Sequence, residues 1–380
     1  MKKKRSFILE GIKGIWIVLC VLVSVALLIG LLFCVGRPQE SIHTGNQDFA
    51  IMDKYEMAMT NRLSDALTGL VTIEKVYWLS DDDLIAPKPD PAKYGETDDP
   101  ATLAWLLEEA EKILDGQETM FTTETPILEG TKVKYYLDDT IFAITWKQGV
   151  ELSVFTCAEV KVAHPSQFRR FLAGGEYGSG IRYTTTEMAV NVNAVTASNG
   201  DYYDYRPQGI VVNNGTVYRS GEHILDTCFI DDKGDLNLVG NGLLSTKEEV
   251  EAYVAENNIR FSLAFGPVLI ENGENKVPPR YQIGEIHKNN SRAALCQLGE
   301  CHYMTVTANI GLNYYLPPTL KDFADQLIAM GVPKAYTIDG GQTATIVMGN
   351  ELINSVDYGG ERKISDIIYF ATAIPDENEG

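Results

Sequence analysis

An uncharged run near the N-terminus constrains this chain more than any other feature. The 23 residues from Gly14 to Gly36 carry no charged side chain and are mostly Ile, Leu and Val. A helix of this length rises about 1.5 Å per residue and so crosses a hydrocarbon layer roughly 30 Å thick. The run is longer than the apolar core of a signal peptide and lacks a small-residue cleavage site. We therefore expect a membrane anchor, with a cleaved signal peptide as the alternative.

The charges beside this run predict its orientation. The chain opens with the basic cluster MKKKR, and basic residues next to a membrane span favour the cytoplasmic side. The sequence therefore predicts a single-pass membrane protein whose C-terminal domain is extracytoplasmic. The predicted division is a cytoplasmic tail at 1–13, a transmembrane helix at 14–36, a stalk and helical N-terminal region at 37–130, and a main domain at 131–375.

The composition of the whole chain excludes some classes of function. Lys and Arg number 32 against 52 Asp and Glu, a formal net charge of −20, and an acidic surface repels the phosphate backbone of nucleic acids. No C-x-x-C pair or H-x-x-x-H spacing occurs, so a structural zinc site is not expected. Cys296 and Cys301 are close enough in sequence to pair across a hairpin. Buried free thiols are the alternative that we favour.

Hydrophobic periodicity predicts an α+β fold with mixed or antiparallel sheets and flanking helices. An amphipathic helix at 52–70 forms either a stalk or dimerising coil, or a helix packed on the main domain. Further helices are predicted to begin at Asp99, at Ser245 with Glu248 in a capping box, and at Thr319. Period-two segments predict a hairpin over residues 132–148, with its turn at Asp138, Asp139 and Thr140, and several later strands.

The loop Asp339-Gly340-Gly341 follows the best-defined of these elements. A helix that ends before Gly331 and Pro333 is succeeded by a short strand at Ala335 to Ile338. A glycine pair permits positive φ and close approach of a ligand to the backbone, but most such pairs only form turns. On spacing alone, the loop therefore marks a turn at the end of a strand.

Three further motifs precede this loop in a fixed order. The four segments are SNGDYYDYRPQGIVVNNGTVY (198–218), FGPVLIENG (265–273), SRAALCQL (291–298) and YTIDGGQTATIVM (336–348). Together they resemble the phosphodiester glycosidase family, which includes the lysosomal enzyme that removes N-acetylglucosamine from a sugar phosphodiester. The resemblance covers roughly residues 150–375 and does not include the anchored N-terminal part.

The resemblance implies a set of site residues. The implied catalytic residues are Asp339, Asn199 and Arg292, and the implied substrate-binding residues are Gly200, Asp201, Gly340, Gly341, Gln342, Thr343 and Arg362. Two of these positions depart from the family pattern. Asp201 stands where the family often has Gly, and Gln342 stands where many members have a third Gly. Both departures bear on the shape of the substrate pocket.

The chemistry of the reaction suggests a role for each of these residues. Cleavage of a sugar from a phosphodiester needs a carboxylate that attacks or activates water, and a cation that holds the phosphate. Asp339 is our candidate for the carboxylate, with Asp201 second, and Arg292 is our candidate for the phosphate contact. Asn199, Gln342 and Thr343 can bind sugar hydroxyls or phosphate oxygens. No cofactor is required, although assistance by a divalent cation stays possible.

We therefore expect a membrane-anchored hydrolase acting on a glycosyl phosphodiester, in cell-surface polysaccharide. The alternative is a non-catalytic surface module that binds anionic glycans or organises envelope or exopolysaccharide assembly. A third possibility is transfer of the sugar to an acceptor other than water. Nucleic acid is not an expected partner, and the identity of the sugar is left open.

Overall fold

The period-two segments of the sequence form antiparallel sheets in the structure, a computed structural model that describes residues 78–80, 85–221, 224–309 and 316–374. These residues belong to one compact unit that begins at Val76. The predicted membrane span at 14–36 and the amphipathic helix at 52–70 lie outside the described residues. Within them, no helix is both long and apolar enough to cross a bilayer.

Nineteen strands occur in the described part of the chain. In chain order they are β1 (Tyr94–Thr97), β2 (Val133–Leu137), β3 (Ile141–Val150), β4 (Ser153–Val162), β5 (Phe168–Leu172), β6 (Thr196–Asn199), β7 (Val211–Asn213), β8 (Thr216–Arg219), β9 (Thr227–Asp231), β10 (Leu236–Val239), β11 (Ile259–Leu263), β12 (Val268–Glu271), β13 (Glu274–Asn275), β14 (Arg292–Gly299), β15 (His302–Asn309), β16 (Lys334–Ile338), β17 (Ile346–Met348), β18 (Glu351–Leu352) and β19 (Asp366–Phe370).

These strands form four sheets. The largest has nine strands in the order β1-β2-β3-β4-β15-β14-β16-β12-β13, and a second has five in the order β18-β17-β6-β19-β5. The order β10-β9-β11 forms a third sheet, and β7 pairs with β8 in a hairpin. The predicted β2–β3 hairpin is confirmed, because the Asp138 carboxylate accepts hydrogen bonds from Thr140 N at 2.7 Å and Ile141 N at 3.0 Å within the turn.

Four α-helices flank the sheets in the described residues. They are α1 (Pro100–Leu114), α2 (Thr185–Asn191), α3 (Lys247–Glu256) and α4 (Leu320–Ala329). Asp99 and Thr319 cap α1 and α4 as predicted. The predicted capping box at Ser245 and Glu248 is wrong by one residue, since the structure forms it between Thr246 and Glu249. The Glu249 carboxylate accepts from both Ser245 N and Thr246 N, so two adjacent candidate caps share one acceptor.

The core has layers on both faces of the nine-stranded sheet. On one face, α1 and α4 cover a cluster that includes Leu106, Trp146 and Phe323. The other face packs against the smaller sheets through Phe168, Tyr303 and others. Helix α1, which the sequence assigned to the N-terminal region, therefore contributes to this core. The predicted α+β class is confirmed, and the four cysteines of the described part are buried and free.

Candidate active site

The Asp339 loop lies where the two largest sheets meet. Asp339 directly follows β16 of the nine-stranded sheet, and Asn199 ends β6 of the five-stranded sheet. The Asn199 side chain donates from Nδ2 to the backbone oxygen of Asp339 at 2.7 Å and accepts from Thr345 N at 3.2 Å. Asn199 is only 1% exposed. The Asn199 amide thus connects the Asp339 loop to the five-stranded sheet. This contact positions the loop.

The two glycines after Asp339 are required for different reasons, a close backbone approach at Gly340 and a positive φ at Gly341. A Cβ atom on Gly340 would lie 2.4 Å from the backbone oxygen of Ser291. That same oxygen accepts from Gly341 N at 2.9 Å, and Gly341 has a φ of 64°. A side chain at either position therefore collides or is strained. The Asp-Gly-Gly motif consequently fixes the direction in which the Asp339 side chain leaves the sheet.

A substitution at Gly340 tests this close approach. We expect Gly340→Ala to displace the loop, to destabilise the fold by about 1–3 kcal/mol as overpacking does, and to reduce activity more than tenfold. Gly360→Ala is the matched control, because no atom lies within 4 Å of a Cβ built there and its φ of −163° suits any residue. Urea unfolding and turnover assays measure both effects. Equal behaviour of the two variants would contradict the packing argument.

The Asp339 carboxyl group has an unusual electrostatic environment. The residue keeps some exposure to solvent, yet burial raises the pKa of its carboxyl group to about 7, while Thr343, Arg362 and Arg206 act in the opposite direction. A carboxyl group with a pKa near 7 can exchange protons at physiological pH. The carboxyl group of Asp339 is thus suited to proton transfer.

The residues after the glycines form a short turn that closes the loop. Thr343 is buried and donates from its hydroxyl group to the backbone oxygen of Gly340 at 2.6 Å. Gln342 is partly exposed and donates from Nε2 to the backbone oxygen of Gly360 at 2.9 Å. Thr343 therefore holds the turn together. Gln342 connects it to the segment that leads to Arg362.

Asp201, the second candidate carboxylate, is occupied by the backbone. Its oxygens accept from Tyr202 N at 2.5 Å and Ala264 N at 2.9 Å, and the residue is buried. Its own N–H donates to the Asp366 carboxylate at 3.2 Å. These contacts favour a positioning role for Asp201 over a reactive one.

A buried ion pair beneath this segment was missed from the sequence. Arg170 on β5 and Asp366 on β19 lie 2.7 Å apart from Nη2 to Oδ2, and both side chains are fully buried. A Cβ atom on Gly200 would lie 2.5 Å from the Asp366 carboxylate, so the Asn-Gly step has a glycine because the acid lies against it. The two partners are 196 residues apart in sequence, and no local pattern links them.

Arg292 contacts backbone carbonyls in the structure. Its guanidinium donates to the backbone oxygens of Gly284 at 2.8 Å, Glu285 at 3.2 Å, Lys288 at 2.6 Å and Pro318 at 3.4 Å. Burial lowers the pKa of Arg292 to about 10. Because these four acceptors occupy most of its N–H groups, Arg292 is better suited to bracing the 284–288 loop beside the site than to holding a phosphate.

Arg362, in contrast, lies on an aromatic cluster beside Asp339. Its guanidinium carbon is 4.7 Å from the centre of the Tyr205 ring and 5.7 Å from that of Tyr202. The two rings stack with centroids 4.6 Å apart. Arg206, which the sequence reasoning did not select although it lies within the first motif, contacts the same Tyr202 ring at 5.5 Å. The structure thus brings two arginines and the Asp339 loop together.

No metal site is evident in the described part of the chain, where no three His, Cys, Asp or Glu side chains cluster as ion ligands. A chelator titration of activity tests whether a divalent cation assists. The nearby acids already have protein partners: Asp201 and Asp366 as above, Asp357 with the Ser291 hydroxyl at 2.7 Å, and Asp204 with Arg182 at 2.7 Å.

Of the two solved structures compared with this chain, the first supports its fold and nothing more. A hypothetical protein from Synechocystis matches with a TM-score of 0.51 and 13% identity over 63% of this chain and 64% of that one. The catalytic domain of zebrafish N-acetylglucosamine-1-phosphodiester alpha-N-acetylglucosaminidase matches at 0.48 and 18% identity, over 65% of this chain and 86% of that one.

Sequence comparison supports the family resemblance over part of the chain. The SPbeta prophage-derived uncharacterized protein YomE of Bacillus subtilis (strain 168) is 22% identical over 209 residues, which is 53% of this chain and 31% of that protein. The chain thus spans about a third of the length of this relative. Residues 185–371 match the sequence model of the phosphodiester glycosidase family, and this range contains all four motifs. The predicted resemblance to the phosphodiester glycosidase family is therefore confirmed over residues 185–371.

Proposed function

We propose that this domain hydrolyses the bond between a sugar and a phosphodiester group, with Asp339 as the catalytic carboxylate. The observation that carries the proposal is the raised pKa of a partly exposed carboxyl group on which the arginines at 206 and 362 act in the opposite direction. A carboxylate beside cationic groups suits a substrate that presents an electrophilic carbon next to an anion. The family match supports the same reaction class.

The chemistry follows from the leaving group. Phosphate leaves as a stable anion, so the reaction has little need of a general acid, and the carboxylate is free to serve as base. In the proposed step, Asp339 takes a proton from water while the water oxygen bonds to the anomeric carbon. The bond from that carbon to the phosphate oxygen breaks, and its electron pair stays on the phosphate. The arginines stabilise the departing charge.

The other motif residues then position this carboxylate. Asn199 holds the backbone of Asp339, and the glycines at 340 and 341 allow the loop to lie against Ser291. Gln342 is partly exposed and is our candidate to contact a sugar hydroxyl. We place Arg292 behind the site as a brace. The phosphate contact predicted for it is assigned instead to the arginines on the aromatic cluster.

The test is release of reducing sugar by the purified full-length protein. A UDP-sugar and a simple glycosyl phosphodiester are the substrates, and Asp339→Asn is the comparison variant. We expect free sugar from the unmodified protein and almost none from the variant. Substrate binding without turnover by the unmodified protein would instead favour the non-catalytic, glycan-binding alternative. New conjugates on addition of an acceptor would indicate transfer.

The pH dependence of turnover tests the role of Asp339 as base. Because burial raises its pKa to about 7, the active carboxylate form is lost as the pH falls below 7. We expect kcat/KM to decline on the acidic side with an apparent pKa near 7, and to fall about tenfold per pH unit below it. Circular dichroism over the same range controls for unfolding. An acidic limb near pH 4 in the folded protein would contradict this role.

We also propose that the site acts outside the cytoplasm on a surface polysaccharide or its precursor. This part of the proposal rests on the uncharged run at 14–36 and the basic cluster before it. Protease protection of the full-length protein in sealed vesicles measures its orientation. Accessibility of the C-terminal domain from the cytoplasmic face would contradict it.

A further inference from the structure

We propose that Arg206 binds the phosphoryl group of the substrate through its Nε–H and Nη1–H groups. Arg206 is not among the site residues that the family resemblance implies. The sequence analysis predicts the phosphate contact at Arg292 instead. That the bound anion is part of a substrate rests on the proposed hydrolase function. The anion site itself rests on the geometry of Arg206 and can be tested separately.

The first observation is that Arg206 is buried with hydrogen-bonding capacity unused. Its side chain is 7% exposed. Nη2 donates to the backbone oxygen of Ala264 at 2.5 Å and lies 3.6 Å from Asp201 Oδ1. Among the described residues, Nε and Nη1 have no acceptor. A buried donor without an acceptor costs free energy, and it costs more when it is charged. A bound anion would recover that energy by supplying oxygens.

The neighbouring Arg219 has an acceptor for each of its guanidinium nitrogens, so unused donors are not general among the arginines of this region. Arg219 on β8 donates to the backbone oxygens of Gly209 at 3.0 Å, Tyr203 at 2.8 Å, Arg206 at 2.8 Å and Gln208 at 2.7 Å. Its donors are thus spent on the backbone, as are those of Arg292. Arg219 also fixes the backbone of Arg206 itself. Arg206 is therefore held in place while part of its guanidinium lacks a partner.

Aromatic rings enclose the same guanidinium. The guanidinium carbon of Arg206 lies 5.0 Å from the centre of the Phe265 ring and 5.5 Å from that of Tyr202. The two rings meet edge to face, with centroids 6.3 Å apart. Rings exclude water from the cation without neutralising it, and a charge–charge contact is stronger in such surroundings. The Phe265 and Tyr202 rings thus surround a guanidinium that can bind an anion.

The charges around Arg206 indicate what kind of anion fits. Asp201 offsets one positive charge, and Arg362 adds a second cation 5.7 Å from the centre of the same Tyr202 ring. Asp339 is close enough to both arginines for each to lower its pKa. Apart from Asp339, the cluster formed by Arg206, Arg362 and Asp201 carries one excess positive charge. A singly charged phosphodiester balances that charge, and guanidinium groups pair well with phosphate oxygens.

Calorimetric titration of the full-length protein with inorganic phosphate tests the anion site without turnover. We expect Arg206→Gln to weaken phosphate binding at least tenfold, and Arg206→Lys, which keeps the charge but not the planar group, to give an intermediate value. Arg280→Gln, at an exposed position, is the charge-matched control and should bind as the unmodified protein does. Phosphate affinity that is unchanged in Arg206→Gln would overturn the proposal.

A kinetic comparison separates binding from a merely structural role. We expect Arg206→Lys to raise KM for a glycosyl phosphodiester at least tenfold and to leave KM for a neutral aryl glycoside unchanged. Equal losses on both substrates would indicate a structural role and would contradict the proposal. Phosphate binding that depends on Arg206 in a protein that releases no sugar would uphold the anion site and reject the hydrolase function.

A spectroscopic measurement on the unmodified protein tests the same site. In protein labelled with ¹⁵N-arginine, phosphate should shift one buried Nε–H resonance, which Arg206→Lys removes from the spectrum. The Nε–H signals of Arg219 and Arg292, already bonded to carbonyls, should stay in place. A shift confined to those two signals, or no shift at saturating phosphate, would overturn the assignment to Arg206.

Discussion

Asp339→Asn is expected to reduce kcat by about a hundredfold to ten-thousandfold, the range typical of a lost general base. The amide has nearly the same shape, so the loop and its contact with Asn199 stay in place. Substrate affinity should therefore be retained or improved, since a negative charge near the phosphate is removed. Rapid-mixing kinetics and a binding titration measure the two effects. A variant that retains full turnover would contradict the role assigned to Asp339.

The same substitution is expected to stabilise the protein at high pH. Burial raises the pKa of Asp339 from 3.8 to about 7, so the folded protein holds this proton more tightly than the unfolded chain does. Stability from this group is therefore lost as the pH rises from about 4 to 7. The shift of about three pKa units corresponds to about 4 kcal/mol at about 1.4 kcal/mol per unit. Because Asp339 is partly exposed and solvent screens its charge, we expect Asp339→Asn to gain about 1–3 kcal/mol in the free energy of unfolding at pH 8, and to gain little at pH 4.

Urea unfolding at the two pH values measures this difference. Asp232→Asn is the control, because Asp232 is exposed on a turn and should change stability little at either pH. Lower stability of Asp339→Asn than of the unmodified protein at pH 8 would contradict the electrostatic account. Loss of function combined with gain of stability is the pattern expected where a site holds an acid in an unfavourable environment.

Breaking the Arg170–Asp366 pair should have the largest effect on stability. We expect Arg170→Met to lower the free energy of unfolding by about 3–5 kcal/mol at pH 8, since it leaves a buried carboxylate without its counter-ion. Burial already raises the pKa of Asp366 to about 6 against the opposing effect of Arg170. The loss should therefore be smaller at pH 5, where Asp366 can become neutral.

Two further variants control for the effect of the buried pair. Asp325→Asn removes an exposed ion pair with Lys321 on α4 and should change stability by less than about 1 kcal/mol. The double variant with Met at 170 and Leu at 366 should recover part of the loss, because apolar replacement of both partners leaves no buried charge. A change below 1 kcal/mol in Arg170→Met would contradict the assignment of this pair as a support of the Gly200 segment.

The sequence predicted the framework of the site through local patterns. Thr319 and the apolar stripe of α4, the short strand β16 and the two glycines after Asp339 each have a signature within a few residues, and the structure has all of them. The family resemblance arose from the same kind of short signature. Local rules suffice where the determining contacts lie close together in the chain.

The division of labour among the arginines could not be predicted in that way. Arg292 matched a family position, but loop carbonyls from 284 to 288 occupy its guanidinium. Arg206 and Arg170 have their roles through residues far away in sequence, such as Phe265 and Asp366. Whether a guanidinium is satisfied depends on tertiary neighbours that periodicity and spacing do not identify.

The capping box at Thr246 lies only one residue from the predicted one at Ser245, because two adjacent caps compete locally.

Hydrolysis in ¹⁸O-labelled water shows which bond is broken. In the proposed reaction, water activated by Asp339 attacks the anomeric carbon, and phosphate leaves with its own oxygens. The unmodified protein should therefore release phosphate product without ¹⁸O, as measured by mass spectrometry or by the ³¹P isotope shift, and Asp339→Asn should release almost none. Phosphate product carrying ¹⁸O would show cleavage at phosphorus and would contradict the account.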